Sequence, residues 1–173
     1  GTRTRPQPPP KGPPVIDLTD LGSRPSDGSH LTAHQVRVIE DYVRQLLAAL
    51  DLGHWRVFVA RDLPPEDCRA MIEPTDGRRI AALYLASDWW TRDDPDTKRV
   101  DITHELLHLA HHDADAGIRR FFDDTGDVSS YVQHLVMGEF KTNLERMVDS
   151  LSYVIAPHMP PWPETPDPDK TEP

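Results

Sequence analysis

The chain has 173 residues, a length that suits one folded domain. Its 19 lysines and arginines against 29 aspartates and glutamates leave a formal net charge of −10. That balance argues against nucleic acid and anionic membrane as partners, since both call for a basic face. No stretch nears the roughly 18 consecutive apolar residues of a spanning helix, and the single cysteine, Cys68, excludes an internal disulfide and a cysteine-only zinc site.

The 18 prolines are unevenly spread: seven lie in 1–28 and seven in 157–173. Runs such as Pro8-Pro9-Pro10 and Pro160-Pro161-Trp162-Pro163 cannot enter a helix or a central strand, because proline lacks the N–H and fixes φ. The expected organisation is therefore a Pro-rich N-terminal tail at 1–28, a folded domain at 29–156 and a Pro-rich C-terminal tail at 157–173. Tails of this kind are solvated polyproline-like segments and can also serve a protein partner. Val15, Ile16, Leu18 and Leu21 in the first, and Trp162 in the second, are the residues able to dock on the body. The lone cysteine and the lack of a visible signal favour a reducing, cytoplasmic compartment. The chain begins with Gly rather than Met, which leaves a removed signal peptide open.

Along the body, Thr32 with Gln35 three residues later reads as a capping box. Val36, Ile39, Val43, Leu46, Leu47 and Leu50 follow at helical spacing, with Gly53 as the stop, so a helix is expected at 32–51. Trp55, Val57 and Val59 alternate and predict a strand at 54–60. Further strands are expected at 68–74 and 78–86, joined by a hairpin turn at Thr75-Asp76-Gly77. The short connections suggest an antiparallel meander. Asp93-Asp94-Pro95-Asp96 is a helix start. That helix should run over 95–113, with Gly117 and the polar 123–127 segment interrupting it. Asp127 or Ser130 can cap a last helix, whose apolar positions run from Val132 to Val154 and which Pro157 ends. Gly138 is its weak point.

The second of these three helices carries His104-Glu105-Leu106-Leu107-His108. Residues i and i+4 share one helix face, one turn apart, so both imidazoles can hold one metal ion. Glu105 points about 100° away around the axis, where it can serve a metal-bound water without itself being a ligand. A zinc ion with an open position lowers the pKa of such a water to about 7. A carboxylate beside it can take the proton and return it to a leaving amine. Leu106, Leu107 and Leu109 give the helix a buried side. A third ligand is then needed, and Glu145 stands 37 residues downstream of His108 with Asp149 four residues on.

His104-Glu-x-x-His108 followed by Glu145-x-x-x-Asp149 resembles the gluzincins, zinc metallopeptidases that include compact phage and bacterial members. The resemblance spans roughly 78–156. It implies an α+β zincin-like fold, with an N-terminal helix on a small antiparallel sheet, then the motif helix and a glutamate-bearing helix. It implies Zn2+ held by His104, His108 and Glu145, Glu105 as general base and acid, and Asp149 orienting His104. It also implies an extended peptide or protein substrate added to the strand before the motif helix, residues 80–88. Trp89 and Trp90 are then pocket walls or core. Tyr153, Tyr131 and His134 are candidates to stabilise an oxyanion, with Tyr153 preferred.

Other ligand sets fit less well. A metzincin pattern wants Gly at 111 and His at 114, where His111 and Ala114 stand. Asp113 and Asp115 flank that place and remain alternative third ligands. Cys68 is a further alternative by analogy with peptide deformylases, whose other motifs are missing. The competing function is a non-catalytic, metal-stabilised structural or interaction protein, of a phage-encoded kind, that binds partners through its Pro-rich tails.

Overall fold

The computed structural model describes residues 30–75, 77–92, 94–125 and 129–163. The expectations for residues 1–28, for Asp76, for a cap at Asp127 and for the chain beyond 163 lie outside the described residues.

Helix α1 spans Ala33–Ala49. Its capping box is formed: the Thr32 side chain accepts from the Gln35 N–H at 3.2 Å, and Gln35 Oε1 accepts from the Thr32 N–H at 2.8 Å. Ile39, Tyr42, Val43, Leu46 and Leu47 form its buried face. The helix ends at Leu50, and the left-handed residue after it is Asp51 (φ 58°) rather than Gly53. Aspartate tolerates this conformation better than most side chains.

Three strands follow: β1 (Arg56–Val59), β2 (Ala70–Pro74) and β3 (Ile80–Leu85). The sheet is mixed, in the order β1-β3-β2, and not the expected antiparallel meander. β3 pairs in parallel with β1 (Arg56 opposite Ile80) and antiparallel with β2 (Ile72 opposite Leu83). The β2–β3 hairpin turns through Gly77, whose φ of +67° suits a residue without Cβ. β3 is therefore central, and the expectation that it forms the free edge is corrected. The edge strands are β1 and β2. At the two ends of β2, the Thr75 N–H donates to Ile80 O and Arg69 O accepts from the Ala86 N–H. By the two-residue period, positions 71 and 73 face β3, while 70, 72 and 74 turn their backbone groups to the open side.

Ala81, Leu83 and Leu85 on β3 and Ala70 and Ile72 on β2 point into the same core as α1. The core is closed by Ile102, Leu106 and Leu109 from the motif helix. A short helix α2 (Trp89–Arg92) leads to α3, which spans Pro95–Thr125 without a break. Asp94 starts α3, its Oδ1 accepting from the N–H groups of Asp96 and Thr97 at 2.9 and 3.0 Å. The Thr97 hydroxyl, donating to Asp94 Oδ2 at 2.6 Å, and then these backbone N–H groups hold the Asp94 carboxyl below its ordinary pKa. The expected interruption after residue 113 does not occur. A helical glycine costs only about 1 kcal/mol, and an Arg119–Asp115 ion pair at 2.8 Å spans Gly117. Helix α4 covers Ser130–Ile155, with Ser129 as its N-cap. The distal halves of α3 and α4 expose Phe121, Tyr131, Leu135 and Val136.

After α4, a 3-10 turn at Ala156–His158 returns the chain to the body. Trp162 is buried at 8 % exposure, within the core. Its ring meets those of Tyr42, Trp89 and Trp90 edge-on at 4.9–5.8 Å. The Tyr42 hydroxyl donates to Pro160 O at 2.8 Å. Lys98 Nζ lies 5.6 Å from the Trp162 ring and donates to Trp90 O. The packed body thus runs past 156 to include Trp162. Trp89 is fully buried and donates its Nε1–H to Asp101 at 3.0 Å, so it belongs to the core. Among the described residues no helix is long and apolar enough to cross a membrane.

Candidate metal centre

The middle of α3 presents His104 and His108 one turn apart toward α4. Their Nε2 atoms are 3.1 Å from each other. Glu145 on α4 brings Oε2 to 3.8 Å from His104 Nε2 and 3.7 Å from His108 Nε2. Among the described residues these three form the one group able to offer convergent metal ligands. Zinc bonds to nitrogen and carboxylate oxygen of about 2.0–2.2 Å would set tetrahedral ligand edges of roughly 3.3–3.6 Å. The observed triangle of 3.1, 3.7 and 3.8 Å lies within a few tenths of an ångström of that size. The donor set of two imidazoles and a carboxylate is one that zinc accepts.

The supporting groups point the same way. Asp149 Oδ1 is 3.2 Å from His104 Nδ1, on the side of the ring away from Glu145. A carboxylate there favours the proton on Nδ1 and turns the Nε2 lone pair toward the triangle. Burial lowers the pKa of His108, and the neighbouring His104 and His111 add to this, while Glu145 and Asp149 oppose it. The imidazole is thereby biased to its neutral, ligating form. Glu145 and Asp149 are 58 % and 64 % exposed, so the group opens to solvent on its α4 side. Asp149 meets His104 on an open rim of the group.

Glu105 projects to another side of α3, against β2. It is buried, and Oε2 accepts the outward-facing Ile72 N–H at 2.8 Å. Burial pushes its carboxyl up to about 7, with the charges of Glu145 and Asp101 adding to the rise and the Ile72 hydrogen bond resisting it. This contact joins the motif helix to the edge strand. Nothing in the local sequence around Ile72 signals it, because it depends on β2 taking the edge. Cys68 is also brought near: Glu105 and Glu145 both help raise its pKa, after burial, and its Sγ–H donates to Ala70 O. The neutral thiol stands outside the three-ligand group.

The remaining candidates lie elsewhere. Asp113 pairs with Arg79 at 2.7 Å, and Asp115 with Arg119 at 2.8 Å. Those ion pairs occupy both aspartates proposed as alternative third ligands. His112 meets the Trp55 ring edge-on at 5.4 Å. Tyr153 lies two turns beyond Glu145 on α4 and is 70 % exposed, with no feature of its surroundings tying it to the triangle. Tyr131 is 74 % exposed near the start of α4.

No protein-family model, curated protein or solved structure matches the chain. The chain is an α+β protein with a small three-stranded mixed sheet and a candidate His104–His108–Glu145 metal-binding group.

Proposed function

We propose that the chain is a zinc-dependent peptidase that hydrolyses peptide bonds. The observation that carries the reading is the triangle of His104, His108 and Glu145 with edges of 3.1, 3.8 and 3.7 Å, with a buried carboxyl one residue along the same helix. Bound zinc would supply Lewis acidity, polarising a substrate carbonyl and acidifying a water to a pKa of about 7. His104, His108 and Glu145 would hold the ion, and Asp149 would fix the His104 ring. Glu105 takes the proton of the attacking water and delivers it to the leaving amine nitrogen. Burial raises this carboxyl while a nearby zinc cation would lower it, and the two opposing effects suit a group that both takes and returns a proton.

An extended substrate fits the free edge of β2 better than β3, whose two edges are both taken. The Ile72 N–H on that edge is donated to Glu105 Oε2 at 2.8 Å, which holds the carboxyl at the edge itself.

The test compares zinc-loaded wild type with Glu105→Gln on a broad fluorogenic peptide library. Cleavage by wild type, with a loss of about 10²-fold or more in the variant at equal zinc content, is expected. Equal cleavage by both, or none by fully zinc-loaded wild type, would refute catalysis and favour a metal-stabilised interaction protein.

A further inference from the structure

Against the acidic balance of the chain, one cavity among the described residues is lined largely by basic side chains. A cavity of about 470 Å³ lies between the β2–β3 turn and the distal half of α3. Arg78, Arg79, Arg119, Arg120, His112 and Asp113 are among its lining residues. Asp113 and Asp115 pair with two of the four guanidinium groups, and Arg78 and Arg120 carry the remaining local positive charge. The Arg79 guanidinium is held in place twice. It pairs with Asp113 at 2.7 Å and lies 5.0 Å over the Trp55 ring. Arg119 is held by Asp115 at 2.8 Å. Arg120 donates its Nε–H to Ala116 O at 3.3 Å, which keeps its side chain against the helix. Among the described residues, neither Arg78 nor Arg120 has a carboxylate partner. Asp123 and Asp124 follow one turn on and keep the basic region short.

The cavity shares a helix face with Glu105. His112 is seven residues, two turns, beyond Glu105, so it lies about 10 Å along the same side of α3. Ala116 and Arg119 continue that line within about 40° around the axis. β2 runs along the same side and ends at the turn that supplies Arg78 and Arg79. An extended peptide advances about 3.4 Å per residue. A chain lying along the β2 edge, with its reacting bond at Glu105, would bring a residue about three positions away into the cavity.

We infer that this cavity is a recognition site for carboxylate side chains of an acidic peptide, about three residues from the bond presented to Glu105. Guanidinium groups match carboxylates in two parallel N–H···O bonds, and pre-positioned ones lose little freedom in doing so. The net charge of −10 disfavours a long polyanion such as RNA, whereas one or two carboxylates meet only the local field. The position relative to the reacting bond rests on the peptidase reading. The preference for acidic peptide does not.

The experiment uses the full chain, zinc-loaded and carrying Glu105→Gln so that bound peptide is not consumed. Labelled peptides with paired glutamates, and their glutamine counterparts, are titrated by fluorescence anisotropy at low and physiological salt. The same measurement is repeated with Arg78→Glu/Arg120→Glu added, two exposed positions away from the core and the triangle. The expected result is about tenfold tighter binding of the glutamate peptide, weakened by salt and abolished by the double charge reversal at unchanged zinc content. Equal binding of the two peptides would overturn the inference. So would a preference that survives the charge reversal, or tighter binding of a single-stranded dT oligonucleotide than of either peptide. Cleavage by the zinc-loaded wild type is read separately. Acidic preference without cleavage would remove the peptidase reading and keep the site; cleavage without acidic preference would do the reverse.

Discussion

Glu105→Gln is expected to stabilise the metal-free protein, and by an amount that depends on pH. The carboxyl is 8 % exposed and its pKa is pushed from 4.5 up to about 7. The folded state therefore holds a proton that the unfolded chain releases between pH 4.5 and 7. Whatever stability Glu105 contributes is fully present below pH 4.5 and is lost as pH rises through 7. At pH 8 the cost of the ionised group is about 3 kcal/mol, from two and a half pKa units at 1.36 kcal/mol each. Glutamine keeps an amide oxygen for the Ile72 N–H and cannot ionise. The variant should gain up to about 3 kcal/mol over wild type at pH 8 and little at pH 4.5. Urea denaturation of both proteins, stripped of metal by a chelator, at a series of pH values reads this directly. A difference in stability that does not change with pH, or a variant less stable than wild type at pH 8, would refute the argument. Zinc should shrink the gap, because a nearby cation favours the ionised carboxylate.

Further expectations follow from the same structure. Trp162→Ala should cost about 3–5 kcal/mol, because the ring fills the space between Tyr42, Trp89, Trp90 and Lys98; a loss within 1 kcal/mol in urea denaturation would mean that the 159–163 segment is not part of the core. Asp149→Asn should weaken zinc affinity by about 10–100-fold while leaving the fold intact, read by competition with a chromophoric chelator, and unchanged affinity would remove Asp149 from any orienting role. Burial raises the Tyr42 pKa to about 12. Stability should therefore fall as pH climbs from 10 toward 12, and Tyr42→Phe should flatten that part of the profile; a fall of equal size in the variant would point to other groups.

The parts of the structure that could be read from sequence are those carried by local pattern. The α1 capping box and its apolar stripe need only neighbours three and four residues away, and both are present. The same holds for His104 and His108, whose convergence follows from one turn of helix. Glu145 and Asp149 were readable as a pair at i and i+4, and they meet His104 and His108 across the α3–α4 hairpin. What local pattern could not supply is pairing between distant segments. The alternation in β1, β2 and β3 is equally compatible with a meander and with β3 inserted between the other two. That choice decides which strand carries the free edge, and with it the Ile72–Glu105 contact. Proline content marked 157–163 as tail-like, whereas the burial of Trp162 depends on a pocket assembled from α1, α2 and α3. Gly117 suggests an interruption, yet its cost of about 1 kcal/mol is spread over a 31-residue helix and partly offset by the Arg119–Asp115 pair across it.

Metal content, measured by elemental analysis on wild type and Glu145→Ala after zinc loading and desalting, bears most directly on the proposed centre. About one zinc per chain in wild type, lost or sharply reduced in the variant with its fold unchanged, is the expected result. Full zinc in both would take Glu145 out of the ligand set, and no zinc in wild type would contradict the metal centre altogether.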